Sequence, residues 1–149
     1  MKMKSIIYSV AAASIAMMGI DAMACTNLLA GKNATIDGSV LISYAADSHT
    51  LYGDLQYLPA ADHKPGDMRE IREWDTGKHL GYIPEVAHTY AVVGNINEHQ
   101  VTVAESTFGG RHELADTTKD AIIDYGSLIY LALQRSRTAR EAIKVMTDL

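Results

Sequence analysis

One cysteine occurs among 149 residues, at position 25, directly after Ala22-Met23-Ala24. In an oxidising compartment a lone thiol is a liability unless it is used. Small residues at 22 and 24 form the A-x-A end of a secretory signal peptide. A cut before Cys25 makes the cysteine the first residue of the mature chain, with a thiol and a free α-amine together. A free α-amine has a reference pKa of about 7.7–8 and a thiol about 8.5. Near neutral pH the amine can therefore take the proton of its own side chain, and no separate histidine is needed. The amine exists only after processing. The same position fits a second use, acylation of Cys25 as a lipid anchor. Two residues weigh against that: Ala22 stands at −3 in place of a large aliphatic, and Asp21 interrupts the apolar run.

Other constellations are weaker. His49, His63, His79, His88, His99 and His112 show neither H-x-H nor H-E-x-x-H spacing; His112-Glu113 begins the latter, but Asp116 occupies its last position. A zinc site is not expected. No glycine-rich phosphate loop is present, so no cofactor is expected either. Arg135, Arg137 and Arg140 read as the solvated edge of two helices. Asp47, before Ser48, reads by itself as a turn or cap residue. Thr107 reads as a strand residue with a hydroxyl donor. Asn33-Ala34-Thr35 is a formal glycosylation sequon in a turn.

The segment ahead of Cys25 has Lys2 and Lys4, then an apolar run from Ile6 to Ile20 broken by Ser9, Ser14 and Gly19. A bilayer span needs about 20 residues, so residues 1–24 read as a signal peptide and no stable membrane span is expected after processing. The net charge is −5, and loss of Lys2, Lys4 and Asp21 makes it one unit more negative. An acidic chain without runs of Lys or Arg is a poor nucleic-acid partner. Residues 25–149 suffice for one core.

The elements that must position Cys25 follow. Residues 25–30 and 39–44 read as two strands of a hairpin, turned at Asp37-Gly38 or near Gly31. Residues 51–58 read as a further strand. Residues 59–88 are punctuated by Pro59, Pro65-Gly66, Gly77, Gly81 and Pro84, and read as irregular apart from a short strand at 68–74. Residues 89–94 and 101–107 read as a second hairpin, with 95–100 as its turn. Ile129, Ala132 and Leu133 form a helical stripe after Asp124. Thr138-Ala139-Arg140-Glu141 is a capping box opening a helix with Ala142, Ile143, Met146 and Leu149 on one face.

Three blocks in order carry a resemblance. They are residues 25–32 (CTNLLAGK) with Asp37-Gly38-Ser39-Val40 and Ala46-Asp47-Ser48; residues 94–101 running to Glu105-Ser106-Thr107-Phe108-Gly109-Gly110; and Ile123-Asp124-Tyr125-Gly126. Together they resemble the cysteine dipeptidases of the N-terminal-nucleophile (Ntn) hydrolases, relatives of bile-salt hydrolases and penicillin V acylases. The resemblance implies an α+β fold, a four-layer αββα Ntn sandwich that is incomplete in this chain because these dipeptidases are several times longer. Residues 25–149 would be the N-terminal part of the domain. It implies an exported hydrolase of small peptides with Cys25 as nucleophile, its α-amine as base, Asp47 orienting the amine and Thr107 in the oxyanion hole. A related amidase acting on acyl amides or bile-salt conjugates would share Cys25. Acylase relatives place Arg three residues before the orienting Asp, and this chain has Tyr44 there. Glu105 is one acidic group that could pair with a substrate α-amine.

Overall fold

The computed structural model describes residues 25–46, 53–106, 110–111, 113 and 121–149. Residues 1–24, Asp47 and Thr107 lie outside them. Nine strands and two helices fall within these segments, which makes the content mixed α/β.

The first hairpin forms close to where it is expected. Strand β1 (Thr26–Ala30) pairs antiparallel with β2 (Leu41–Ala45), from Thr26 opposite Ala45 to Ala30 opposite Leu41. The link uses both expected turns. The Ala34 amide donates to the Gly31 carbonyl at 2.9 Å, and the Asp37 carboxylate accepts from the Ser39 amide at 3.0 Å. Little of the hairpin is buried: Leu28, Leu29 and Leu41 are well exposed.

The stretch 59–88 is more ordered than its punctuation suggests. It holds β4 (Ala61–Asp62), β5 (Met68–Arg72), β6 (His79–Pro84) and β7 (His88–Thr89). β4 pairs with β7, and β5 with β6 through a bulge at Ile71/Arg72. Pro84 sits at the last position of β6, where a missing amide costs least. At Gly81, an added Cβ would lie 3.1 Å from Ile122 Cδ1, so the residue that reads as a strand breaker instead lets a side chain close in. The expected strand at 51–58 is reduced to β3 (Tyr57–Leu58) within the described part.

The second hairpin differs from expectation. β8 (Val92–Val93) turns back at once into β9 (Ile96–Asn97), with β3 on the other side of β8. Gly94 at φ +52° makes this tight reversal possible. The segment read as a turn therefore contains a strand, and 101–106 contributes only a bridge from Thr102 to Ile96. The cause is the Asn97 side chain. Its Oδ1 accepts from the His99 and Val101 amides, both at 3.0 Å, and turns the chain a second time.

Helix α1 (Tyr125–Arg135) starts on Asp124, whose carboxylate accepts from the Ser127 amide at 3.1 Å and the Trp74 amide at 2.7 Å. Its expected stripe is buried: Ile129, Ala132 and Leu133 join Val92, Val101 and Ala142 in one core cluster. Leu131, on another side of the helix, joins Ile71 and Ile83 in a second. Helix α2 (Ala139–Asp148) is capped by Thr138, whose hydroxyl accepts from the Glu141 amide at 3.2 Å. The Glu141 carboxylate reaches back to the Arg137 amide at 2.6 Å. Only part of the α2 stripe is buried; Ala142 is 2% exposed but Ile143 is 59%.

Arg135 departs from the expected solvated edge. Its side chain is 8% exposed and donates to the Glu85 carboxylate at 2.9 Å and the Pro84 carbonyl at 3.2 Å. Burial of this charge is tolerable because its counter-ion is buried with it. Arg137 lies over the Tyr90 ring at 5.8 Å.

Gly126 sets the approach of α1 to the β5–β6 hairpin. A Cβ there would meet Trp74 Cβ at 2.6 Å, while the Trp74 ring stacks on Tyr130 at 4.7 Å. Trp74 is pinned through its amide to Asp124, so it cannot retreat freely. Gly126→Ala is expected to destabilise the protein by about 1–3 kcal/mol through overpacking, read as a lower urea midpoint. An unchanged midpoint would show that the contact yields without cost.

Candidate active site

Strand geometry brings the first polar groups together. Side chains two apart on a strand share a face, and directly opposed residues on an antiparallel partner share it too. Cys25, Asn27 and Leu29 therefore project with Tyr44 and Ile42, which stand opposite Asn27 and Leu29 in the β1–β2 register. Against this face runs the segment 102–106, and beyond it α2.

The Cys25 thiol donates to Glu105 Oε1 at 2.9 Å, and the Tyr44 hydroxyl donates to the same oxygen at 2.9 Å. Two further bonds tie the segments. Asn27 Nδ2 donates to the Glu105 carbonyl at 2.7 Å, and the Ser106 hydroxyl donates to the Cys25 carbonyl at 3.4 Å. A residue 80 positions away is thus held on the thiol by side chain and backbone together.

These groups open on a cleft of about 690 Å³, within the range of small-molecule sites. Its wall is mostly apolar: Leu29 and Ile42 from the hairpin, Val103, and Ala142, Ile143 and Met146 from α2. Ile143, exposed on α2, lines this opening. Among the described residues of the wall, Glu105 is the one charged side chain.

The surroundings are electronegative. Burial, followed by the hydrogen bond to Glu105 and the charges of Glu105 and Cys25, pushes the Tyr44 phenol far above its ordinary value. Tyr44 consequently stays a proton donor at neutral pH. Tyr125 is pushed up to about 12, first by burial and then by its 2.9 Å hydrogen bond to Asp75, with the charge of Glu105 adding to the effect. The charge of Glu105 contributes to both shifts, after burial in each case.

Of the residues singled out from sequence, Cys25 lines the cleft, while Asp47 and Thr107 fall outside the described residues. Glu105 sits on the thiol. Asn27 was not singled out, and Tyr44 drew notice only as a departure from acylase relatives. The strand register was the available signal for both. Among the described residues no helix is long and apolar enough to cross a membrane.

Comparison with known proteins places these residues in a wider group. A family model described as peptidase family C69 matches residues 24–65 and 54–149. A "Probable dipeptidase" of Latilactobacillus sakei is 29% identical over 152 residues, which cover 87% of this chain and 30% of that protein. The chain thus spans about 30% of the length of that curated relative. No solved structure matches it. With the family model extending over all the described strands and helices, the chain belongs to peptidase family C69.

Proposed function

We propose that this chain is the N-terminal part of an exported cysteine dipeptidase, with Cys25 as nucleophile and residues 1–24 as its signal peptide. The observation that supports the reading is the position of the thiol: on the wall of an apolar cleft, hydrogen-bonded to Glu105, and directly after Ala22-Met23-Ala24. The β1–β2 hairpin, with its exposed leucines, would form part of an αββα sandwich that later residues complete.

In the precursor the nitrogen of residue 25 is a peptide nitrogen with no basicity. Cleavage after Ala24 turns it into an amine. That amine accepts the thiol proton, and the thiolate attacks the scissile carbonyl carbon. The amine next donates the proton to the leaving nitrogen as the carbon–nitrogen bond breaks. A thioester remains, and water deprotonated by the same amine hydrolyses it. Nucleophile and base share one residue, which keeps the two groups close together. Asp47 would orient the amine and Thr107 would donate to the tetrahedral oxyanion.

The mature N-terminus tests this directly. Intact-mass and N-terminal sequencing of the exported protein should find an unmodified Cys25 at position one. A diacylglyceryl adduct would identify a lipid anchor, and a start at any other residue would remove the base; either result sinks the reading.

A further inference from the structure

The Tyr44 hydroxyl carries one proton and has two acceptors close to it, a Glu105 oxygen and the Cys25 sulfur. We propose that Tyr44 is a catalytic residue of this site: its hydroxyl, held on Glu105, also donates to the Cys25 sulfur once the thiol has lost its proton, and so stabilises the attacking anion. The inference rests on Cys25 being the nucleophile and adds the group that steadies its ionised form.

Strand register places the hydroxyl. Tyr44 stands opposite Asn27 across the β1–β2 pair, and Cys25 precedes Asn27 by two positions on the same face. Tyr44 is therefore diagonal to Cys25, a backbone separation of about 7–8 Å that an aromatic side chain spans. The hydroxyl and the thiol then meet on one atom, each 2.9 Å from Glu105 Oε1. Burial raises the Tyr44 phenol most, then the hydrogen bond to Glu105 and the charge of Glu105; the charge of Cys25 and a hydrogen bond to Cys25 add to these. The sulfur is thus a second acceptor for the same O–H.

Ionisation changes what the sulfur offers. With the thiol neutral, S–H and O–H both point at Oε1, and Sγ is a donor. When the α-amine of Cys25 takes the thiol proton, Sγ becomes a charged acceptor. The Tyr44 O–H then lies beside two charged acceptors and shares its proton between them as a three-centre hydrogen bond. No covalent bond of Tyr44 forms or breaks. The new ammonium on Cys25 is a counter-charge to the thiolate, and the hydroxyl adds a directed donor to it. A hydrogen bond to an ionised acceptor is about twice as strong as one to a neutral acceptor. Tyr44 therefore binds the thiolate better than the thiol, and that difference favours ionisation. The raised phenol keeps its proton throughout the range in which a thiol titrates. Among the described residues, the titratable groups facing the sulfur are Tyr44 from β2, Glu105 from the segment 102–106 and the cysteine's own α-amine. Helix α2 faces the cleft with apolar side chains, and Tyr125 of α1 feels the charge of Glu105.

The test follows the pH dependence of iodoacetamide labelling at Cys25 in the full, processed protein, with the labelled N-terminal peptide identified by mass. Tyr44→Phe keeps the ring and removes the donor. The half-maximal pH of labelling should rise by about one unit, which leaves about tenfold less thiolate on the acid side of the midpoint. The alkaline plateau should be retained, because the thiol remains accessible. The same substitution made together with Glu105→Gln should again raise the midpoint, relative to Glu105→Gln alone. An unshifted midpoint in Tyr44→Phe overturns the role. So does a shift that vanishes in the Glu105→Gln background, because Tyr44 then acts only by orienting the carboxylate. Either result, with dipeptide hydrolysis intact in the unaltered protein, leaves Cys25 standing as nucleophile. Undiminished hydrolysis by Cys25→Ser would remove both proposals, whatever the labelling shows. Should Tyr44→Phe not fold, 3-fluorotyrosine in place of Tyr44 supplies a stronger donor, and the midpoint should fall; no movement would overturn the proposal.

Discussion

Replacing Cys25 by serine is expected to lower dipeptide hydrolysis by about 1,000-fold or more, since removal of a nucleophile is among the most damaging single changes an enzyme can suffer. The substitution is nearly isosteric, so the difference lies in chemistry. A hydroxyl ionises far less readily than a thiol, so the same α-amine generates much less of the attacking anion. The hydrogen bond to Glu105 can persist with an O–H donor, so the fold and export should be unaffected. Hydrolysis assays on the full, processed variant, with its unfolding midpoint as a control, separate these effects. Undiminished turnover with an unchanged midpoint would mean that another group carries the reaction.

Loss of the Asn97 side chain should have the largest effect on stability. Asn97 is 4% exposed and makes four hydrogen bonds. Its Nδ2 donates to the Leu133 and Ser136 carbonyls, both at 2.7 Å, at the C-terminal end of α1. Its Oδ1 accepts from the amides of His99 and Val101. The side chain therefore supplies the end of a helix and the turn after β9 at once. Asn97→Ala leaves buried backbone groups without partners, at a cost of about 3 kcal/mol or more. Asn97→Asp keeps the acceptor but sets a carboxylate against two carbonyls, and should be as damaging. Urea unfolding of both variants in the full protein measures this. A loss below about 0.5 kcal/mol in the alanine variant, the scale of an ordinary surface change, would show that water or rearrangement replaces the network.

Asn97 also marks where sequence reading stopped. Asn in a run of turn residues signals a turn, and there is one. The helix end it satisfies lies 36 residues further along the chain, and nothing in the local text announces that. Helix starts were more legible. Asp124 and Thr138 cap from their own side chains within three residues, so the signal and the structure are both local. The stripe Ile129, Ala132 and Leu133 follows from helical period alone. Arg135 illustrates the opposite case. Its spacing with Arg137 and Arg140 matches a solvated face, and only the approach of Glu85, 50 residues earlier, makes its burial possible. The region 59–88 was obscured because its strands are short and contain Gly81 and Pro84, whose local meaning is interruption.

The candidate site divides along the same line. The residues alone pointed to Cys25, through its uniqueness and its place after Ala24, and put α1 and α2 where they form. They also made Glu105 available as an acidic group without a position. Tertiary structure decided what surrounds the thiol. The β1–β2 register sets Tyr44 opposite Asn27, and the segment 102–106 folds across that face to bring Glu105 onto Cys25. Caps and periodicities act over one helical turn or one strand step, within which the chain is its own context. A hydrogen bond across 80 residues depends on every turn between its partners, and no window of sequence contains it.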